Sequence, residues 1–100
     1  MDGHRIERDV AVHEFLDLLS QYPEDSVFMT NHTVFRLGEK QRKIFQDTIM
    51  KNLFGSQMPL RVGIQQNGNY TAFYKYGKDI LRIIIDFKPT RINIVTFYVE

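Results

Sequence analysis

The stretch LRVGIQQNGNYTAFYKY, residues 60–76, decides the fold of this 100-residue chain. Apolar and polar residues alternate on both sides of Asn67-Gly68, the dipeptide most typical of a two-residue β-hairpin turn. Such a turn places Gln66 opposite Asn69 and determines which side chains share a face of the sheet. The expected core face carries Leu60, Val62, Ile64, Thr71 and Phe73, and the expected outer face carries Arg61, Gly63, Gln65, Tyr70, Ala72 and Tyr74. The outer face is the candidate working surface.

Two more strand-like runs follow the hairpin, over residues 80–87 and 91–99. The connections between the four runs are short, so we expect each strand to pair antiparallel with the next. With a three-residue loop over residues 76–78, the core face gains Leu81, Ile83, Ile85 and Phe87, and Arg82 joins Arg61 and Tyr74 on the outer face. The loop that follows leaves the register of the last strand open, so Thr96 and Tyr98 fit either face.

The N-terminal quarter of the chain predicts a helix. Asp9 is a suitable N-cap, apolar residues recur at the i, i+3, i+4 spacing of an amphipathic helix, and Pro23 ends it. The residues of that apolar face are Val12, Phe15, Leu16, Leu19 and Tyr22. Residues 26–29 then form a short extended piece with Val27 and Met29 on one side.

A second helix is expected from a cap at Thr30 or Asn31 to about Phe54. Its apolar side carries Val34, Leu37, Ile44, Phe45 and Ile49, and its cationic side carries His32, Arg36, Lys40 and Lys43. Gly38 lies in the middle and costs roughly 1 kcal/mol relative to alanine in a helix. A break into two shorter helices therefore stays open.

These elements predict an α+β fold in which two N-terminal helices pack on one face of a four-stranded antiparallel β-meander. A chain of this length is expected to form one domain over residues 1–100. Residues 1–24 supply an acidic N-terminal helix, and residues 25–100 supply the second helix and the sheet. The face of the sheet opposite the helices is where we expect the chemistry.

Charge is distributed unevenly along the chain although the net charge is only +1. Residues 1–25 hold seven acids against two arginines, whereas residues 32–61 hold six basic residues against two acids. This layout suggests a polyanion site beside a segment that is able to mask it. Two ordinary solvated helix faces would explain the same layout.

Composition argues against several chemistries. The chain has no cysteine, which excludes a disulfide framework and a thiolate nucleophile. His4, His13 and His32 are too far apart to form a helical ligand pair, so we expect no metal and no cofactor. No apolar run approaches the roughly 18 residues of a membrane span, and the polar start MDGHRIERD is unlike a signal peptide. We therefore expect a cytoplasmic protein with no membrane partner.

Two short motifs carry a resemblance to a known family. The first is Thr30-Asn31-His32-Thr33 followed by Arg36 and Ile44, and the second is the closing Ile94-Val95-Thr96-Phe97-Tyr98. With the order of elements, they resemble the RelE/ParE-like toxin superfamily, in particular a RelE-like domain group that pairs a helix-starting SxHA…R…R with a C-terminal IvTvY. The resemblance covers about residues 26–99. The family's second arginine falls at Lys40, with Arg42 nearby.

The resemblance implies a toxin of a toxin–antitoxin pair, a metal-free endoribonuclease that often acts on messenger RNA on the ribosome. In this reaction a 2′-hydroxyl attacks the adjacent phosphate, which needs a proton acceptor, a proton donor and cations around the phosphate. The expected catalytic residues are His32, Arg36, Arg82 and Tyr98. The expected substrate-binding residues are Lys40, Arg42, Lys43, Arg61, Tyr70, Tyr74 and Thr96. The expected partners are RNA or the ribosome and an antitoxin protein.

Each of these residues also has an ordinary structural explanation, so the sequence leaves open whether the protein is an enzyme. Tyr70 and Tyr74, for example, are good strand formers. The low net charge favours a non-enzymatic protein-binding module on the same scaffold, because phosphate contacts dominate the affinity of RNA-binding proteins. A homodimer that pairs exposed strand edges is a third interpretation. The acidic N-terminal helix raises a further hypothesis, that it lies over the cationic region and lowers the affinity for RNA until it is displaced. The alternative, which we favour, is that its residues Phe15, Leu16 and Leu19 belong to the core.

Overall fold

The computed structural model describes residues 5–29, 39–55 and 57–99, with the backbone alone over residues 39–46. In this part of the chain there are six strands and two helices, with a 3-10 turn at Glu24–Ser26. The elements are β1 (Ile6–Val10), α1 (Val12–Leu19), β2 (Val27–Met29), α2 (Glu39–Phe54), β3 (Arg61–Gln65), β4 (Tyr70–Tyr76), β5 (Asp79–Phe87) and β6 (Ile92–Val99).

All six strands belong to one mixed sheet in the order β1-β3-β4-β5-β6-β2. Four neighbouring pairs are antiparallel, and β2 runs parallel to β6. The predicted four-stranded antiparallel meander is therefore wrong, although the described residues form two helices, the number expected. Strands β3 to β6 do follow one another, but the sheet continues beyond them at both edges.

The strand β1 replaces the start of the predicted first helix. It pairs antiparallel with β3, and Asp9 lies opposite Gly63. Helix α1 begins at Val12, and its N-cap position is Ala11. Asp9 lies in β1, so the prediction of Asp9 as N-cap is wrong. Three of the five residues of β1 are charged, and such a pattern does not indicate a strand by itself. Pairing with a strand that is distant in sequence decides its conformation.

The strand β2 confirms the short extended piece expected at residues 26–29, but its partner was not expected. Val27 lies opposite Ile92 and Met29 opposite Ile94. A parallel pair needs a long crossover connection, and here the chain between the two strands includes α2 and the whole β3-β4-β5 meander. The strand β2 therefore forms the second edge of the sheet.

One face of the sheet packs against both helices and is called the helix-covered face. Helix α1 contributes Phe15 and Leu19, as their spacing predicted, and α2 contributes Ile49 and Leu53. The sheet residues buried in the same cluster are Val10, Val62, Ala72, Tyr74, Leu81, Ile83, Ile85, Ile92 and Ile94. Burial of this apolar surface is the main favourable contribution to folding.

The first hairpin turns through three residues instead of two. The backbone N–H of Gln65 donates to the carbonyl of Asn69 over 2.8 Å, and the N–H of Gly68 donates to the carbonyl of Gln65 over 2.9 Å. Gly68 has a φ of 90°, as expected where a type I turn is closed by a glycine bulge. The loop is therefore Gln66-Asn67-Gly68, and the predicted two-residue turn is wrong.

This one extra loop residue moves every side chain of β4 to the other face, because side chains alternate with a period of two. Arg61 lies opposite Phe73 and not opposite Tyr74. The helix-covered face receives Tyr70, Ala72 and Tyr74, and the opposite face receives Thr71 and Phe73. The predicted faces of these five residues are all wrong for this reason.

The second hairpin is one residue shorter than predicted. Tyr76 pairs with Asp79, so Gly77-Lys78 is the whole loop. Gly77 has a φ of 62°, which suits the first central position of a type II′ turn. The two differences cancel in β5, so Leu81, Ile83 and Ile85 are buried on the helix-covered face as predicted, and Arg82 shares a face with Arg61.

A β-bulge in β6 determines the face of the last residues. The register shifts between Ile84, which is opposite Thr96, and Ile85, which is opposite Ile94, so Val95 is the extra residue of the bulge. Without the bulge, Thr96 and Tyr98 would alternate onto the helix-covered face. The bulge brings them to the opposite face, called the second face, which carries Asp9, Arg61, Gly63, Gln65, Thr71, Phe73, Arg82, Ile84, Thr96 and Tyr98.

Candidate functional site

Four side chains form a row across the second face, one from each of four neighbouring strands. Arg61 of β3 lies opposite Phe73 of β4, and Arg82 of β5 lies opposite both Phe73 and Tyr98 of β6. Neighbouring strands are about 4.8 Å apart, so directly opposite side chains are in contact range. These residues, Arg61, Phe73, Arg82 and Tyr98, are called the cross-strand row.

Cations and aromatic rings alternate along this row. The guanidinium carbon of Arg82 is 5.1 Å from the ring centre of Phe73 and 5.8 Å from that of Tyr98. The guanidinium carbon of Arg61 is 5.8 Å from the ring centre of Phe73. At these distances a guanidinium is attracted to the face of an aromatic ring. Two arginines and two rings are therefore held together on one surface.

Hydrogen bonding orients the central arginine. The Nε of Arg82 donates to the hydroxyl of Thr71 over 2.9 Å, and Thr71 itself is fully buried. The guanidinium is thus anchored on the strand next to its own, close to the Phe73 ring. An anchored guanidinium loses less conformational freedom when it binds a planar anion than a mobile lysine does.

The outer arginine is paired with the edge strand. The Nε of Arg61 donates to Oδ1 of Asp9 over 2.8 Å. The side chains are 53% and 69% exposed, so this is a surface ion pair that solvent reaches from both sides. Asp9 and Arg61 are diagonal neighbours on the same face of the β1-β3 pair, because Asp9 is opposite Gly63, two residues after Arg61.

Several side chains of the second face are buried, although they do not belong to the core cluster of the helix-covered face. Phe73 and Ile84 are buried, as are Thr71 and Gln65. Within the described ranges, neither the side-chain oxygen nor the side-chain nitrogen of Gln65 has a hydrogen-bond partner. A Cβ added at Gly63 would lie 2.6 Å from Cγ2 of Ile6, which shows how closely β1 packs against β3 here.

The chemistry of the row suits a ligand that is both anionic and aromatic. A guanidinium fork matches the oxygens of a phosphate or carboxylate, and it also stacks on planar rings. Tyr98 adds a ring face and a phenolic hydroxyl. A nucleic-acid strand presents both phosphates and flat bases, and aromatic and arginine side chains on a sheet are a recurrent way to bind it.

The structure brings together three of the predicted site residues. Arg82 and Tyr98, predicted to be catalytic, contact each other, and Arg61, predicted to bind substrate, reaches Arg82 through the Phe73 ring. Thr96 lies on the same face, two residues before Tyr98 and opposite Ile84. It is half-buried and therefore lies at the margin of the row.

Two predicted substrate-binding residues lie on the wrong face. Tyr70 packs against the rings of Phe15 and Phe87, with ring centres 6.2 and 5.1 Å away. Tyr74 is fully buried in the core, and its hydroxyl has no hydrogen-bond partner among the described residues. Burial raises the pKa of the Tyr74 hydroxyl well above its ordinary value. Neither tyrosine reaches the cross-strand row, because the three-residue loop of the first hairpin turned both toward the helices.

The side chains of the remaining predicted site residues lie outside the part of the structure that is described. His32 and Arg36 lie outside the described residues, as do the proposed cap at Thr30 or Asn31 and the break at Gly38. Lys40, Arg42 and Lys43 belong to α2, whose side chains are described from Asp47 onward. Their roles stay predictions.

Sequence reasoning missed Phe73 and Asp9. For Phe73 a signal existed within β4 itself, since one alternating set of residues is more apolar than the other. That set is Tyr70, Ala72, Tyr74 and Tyr76, against Thr71, Phe73 and Lys75. This pattern and the two-residue Asn67-Gly68 turn predict opposite faces for Phe73. The pattern alone would have placed Phe73 on the second face. For Asp9 no local signal existed, because its contact with Arg61 depends on the pairing of β1 with β3.

Comparisons with models of protein families, with curated proteins and with solved structures found no match. Among the described residues, no helix is both long and apolar enough to cross a membrane. Within the same ranges, no three histidine, cysteine or acidic side chains are grouped so that they could hold a metal ion.

Proposed function

We propose that this protein binds RNA on the second face of its sheet and cleaves it as the toxin of a toxin–antitoxin pair in the cytoplasm. The observation that carries the proposal is the cross-strand row, in which the Arg82 guanidinium lies between the rings of Phe73 and Tyr98. The His32, Arg36 and Thr96 motifs that resemble RelE-like toxins support the cleavage part of it.

Binding follows from the two kinds of group in the row. The guanidinium groups of Arg61 and Arg82 bind phosphate oxygens, and the Tyr98 ring provides a surface on which a base stacks. Because the row lies on a sheet, it suits a single strand whose bases are splayed, not a regular duplex. Single-stranded RNA is therefore the substrate class that the geometry favours.

Cleavage would use the Arg82-Tyr98 pair at the reacting phosphate. Arg82 would stabilise the charge that develops when the 2′-hydroxyl attacks, and the Tyr98 hydroxyl would donate a proton to the leaving oxygen. His32 as the proton acceptor and Arg36 as a second cation complete the proposed set on the strength of the resemblance alone. No metal ion is needed for this chemistry.

The binding part is tested with a fluorescently labelled single-stranded RNA titrated at several salt concentrations. We expect Arg82→Gln to weaken binding at least about fivefold and to reduce the slope of log affinity against log salt by about 0.7, the value for one phosphate contact. Arg91→Gln is the matched control, because Arg91 is exposed and precedes β6 outside the row. Equal effects of the two variants, or no RNA binding by the wild type at low salt, would contradict the proposal.

The cleavage part is tested by incubating the protein with RNA in the presence of a chelator. We expect a product with a 2′,3′-cyclic phosphate, loss of cleavage in Tyr98→Phe with retained binding, and no cleavage of RNA that carries a 2′-deoxy nucleotide at the scissile position. Growth arrest on expression in a bacterium should also require Tyr98. Cleavage by Tyr98→Phe at the wild-type rate would remove Tyr98 from the mechanism.

A second candidate function is a non-enzymatic protein-binding module, and the edge strand β2 favours it. Phe28 is 52% exposed on this strand, next to Asn93 of β6. A partner strand added to β2 would cover Phe28. If expression arrests growth without RNA cleavage, and Phe28→Asn relieves the arrest, this candidate replaces the first.

A further inference from the structure

We infer that Asp9 is a built-in competitor for phosphate at Arg61, so that Arg61 becomes a second phosphate site only when this carboxylate is displaced. The inference rests on the proposed RNA binding and adds the regulation of the same surface. It predicts that the edge strand β1 lowers the affinity of the protein for RNA.

The geometry of the ion pair is that of a phosphate contact. Asp9 Oδ1 accepts from Arg61 Nε over 2.8 Å, a short charge-assisted hydrogen bond. Carboxylate and phosphate oxygens are both acceptors that match the planar donor fork of a guanidinium. Asp9 thus holds the position that a phosphate oxygen of a bound strand would take.

The neighbouring side chains make this position a continuation of the row. Arg61 and Arg82 both lie on the Phe73 ring, with guanidinium carbons 5.8 and 5.1 Å from its centre. A strand that binds Arg82 therefore brings its next phosphate toward Arg61. There it meets the negative charge of Asp9, and only one of the two anions forms the hydrogen bond with the guanidinium.

The sheet holds the backbone of Asp9 in place, while its carboxylate is free to turn into solvent. Asp9 is opposite Gly63 in the β1-β3 ladder, and its side chain is 69% exposed. The side chain of Ile6 in β1 packs over Gly63, which keeps β1 close to β3. Because the ion pair itself is solvent-exposed, it is weak, and phosphate displaces the carboxylate without unfolding β1.

The test compares Asp9→Asn with Asp17→Asn. Asp17 is an exposed residue of α1, on the other side of the sheet from the row, and its substitution removes the same charge. For a labelled single-stranded RNA, we expect Asp9→Asn to raise affinity about two- to fivefold and to steepen the salt slope by about 0.7. Asp17→Asn is expected to change affinity less than twofold.

A double-mutant cycle shows whether the effect passes through Arg61. In an Arg61→Gln background, Asp9→Asn should no longer raise affinity. As a direct readout, the Nε–H resonance of Arg61 should shift when inorganic phosphate or RNA is added to the wild type. The shift should need less phosphate in Asp9→Asn.

The outcomes separate this inference from the proposed function. If the wild type binds RNA in an Arg82-dependent way and Asp9→Asn changes nothing, the inference fails and the RNA-binding proposal stands. Equal effects of Asp9→Asn and Asp17→Asn, or an Asp9 effect that persists without Arg61, also overturn the inference. If neither the wild type nor Asp9→Asn binds RNA at low salt, both fail.

Discussion

The two faces of the sheet are held by different interactions. On the helix-covered face, Ile83 and its neighbours are buried among apolar side chains of the sheet and of α1 and α2. On the second face, Phe73 lies between the guanidinium groups of Arg61 and Arg82, each of which also donates a hydrogen bond. Apolar burial contributes far more to stability than exposed ion pairs do. The comparison therefore assigns stability to the first face and leaves the second face for the proposed ligand binding.

The largest expected effect is on the helix-covered face. Ile83 is fully buried in the middle of β5, so Ile83→Ala should lower the free energy of unfolding by about 2–5 kcal/mol through lost burial and a cavity. Urea unfolding followed by circular dichroism measures it. The control is Ile80→Ala in the same strand, where the side chain is 37% exposed and the loss should be under about 1 kcal/mol. Similar losses at both positions would contradict the assignment of the core to this face.

A smaller effect is expected where β1 packs on β3. In Gly63→Ala the new methyl group would lie 2.6 Å from Ile6 Cγ2 and 3.2 Å from the carbonyl oxygen of Arg8. Relieving this overlap should lower the free energy of unfolding by about 1–3 kcal/mol. In an Ile6→Ala background the side-chain overlap is gone, so the added loss from Gly63→Ala should shrink. An unchanged loss in that background would show that the contact does not constrain β1.

The next effect appears only at alkaline pH and again concerns the helix-covered face. The pKa of Tyr74 is raised by burial, so between about pH 10 and the higher folded value the unfolded chain loses this proton and the folded chain keeps it. The ionisation of Tyr74 therefore does not affect stability below about pH 10, and above it stability falls at a limiting rate of roughly 1.4 kcal/mol per pH unit. Urea titrations at pH 9 to 11 measure the fall.

Tyr74→Phe should lack this contribution. At pH 7 it should be at least as stable as the wild type, because the hydroxyl it removes is buried and has no hydrogen-bond partner in the part of the chain that the structure describes. Identical pH profiles for the two proteins would mean that the hydroxyl reaches water.

The smallest effect on stability is expected at the ion pair of the second face. Both partners are more than half exposed, so Asp9→Asn should change the free energy of unfolding by less than about 1 kcal/mol. The urea midpoint gives this value alongside the RNA affinity. A loss comparable to that of Ile83→Ala would show that Asp9 stabilises β1. It would contradict the assignment of stability to the helix-covered face.

Local patterns predicted several elements correctly. The i, i+3, i+4 spacing located Phe15 and Leu19 on the buried face of α1, and residues 26–29 were expected to be extended. The strand-like runs after residue 60 correspond to β3 through β6. Arg61 and Arg82 lie on one face, as expected, but only because the errors in the two hairpin loop lengths cancel. These features depend on residues that are close in sequence, where helix and strand periodicities act directly.

Other features depend on contacts between distant parts of the chain. The charged strand β1 is a strand because it pairs with β3, and β2 has its position because it pairs in parallel with β6. Neither pairing has a local signature, and for this reason a six-stranded mixed sheet was predicted as a four-stranded meander. For the candidate site, the consequence is that Asp9 was expected in a helix instead of beside Arg61.

The sequence by itself determined which segments form β3 to β6. The predicted lengths of the two hairpin loops, which place Arg61 and Arg82 on one face, were each wrong by one residue, and the two errors cancel. The tertiary structure alone decided which aromatic residues accompany these arginines. Because of one extra residue in the first hairpin loop, Phe73 and not Tyr74 lies beside Arg61 on the second face. Because of the bulge at Val95, Tyr98 lies on the same face beside Arg82. The physical reason is that side chains alternate along a strand with a period of two, so a single residue in a loop or bulge reverses every face that follows it.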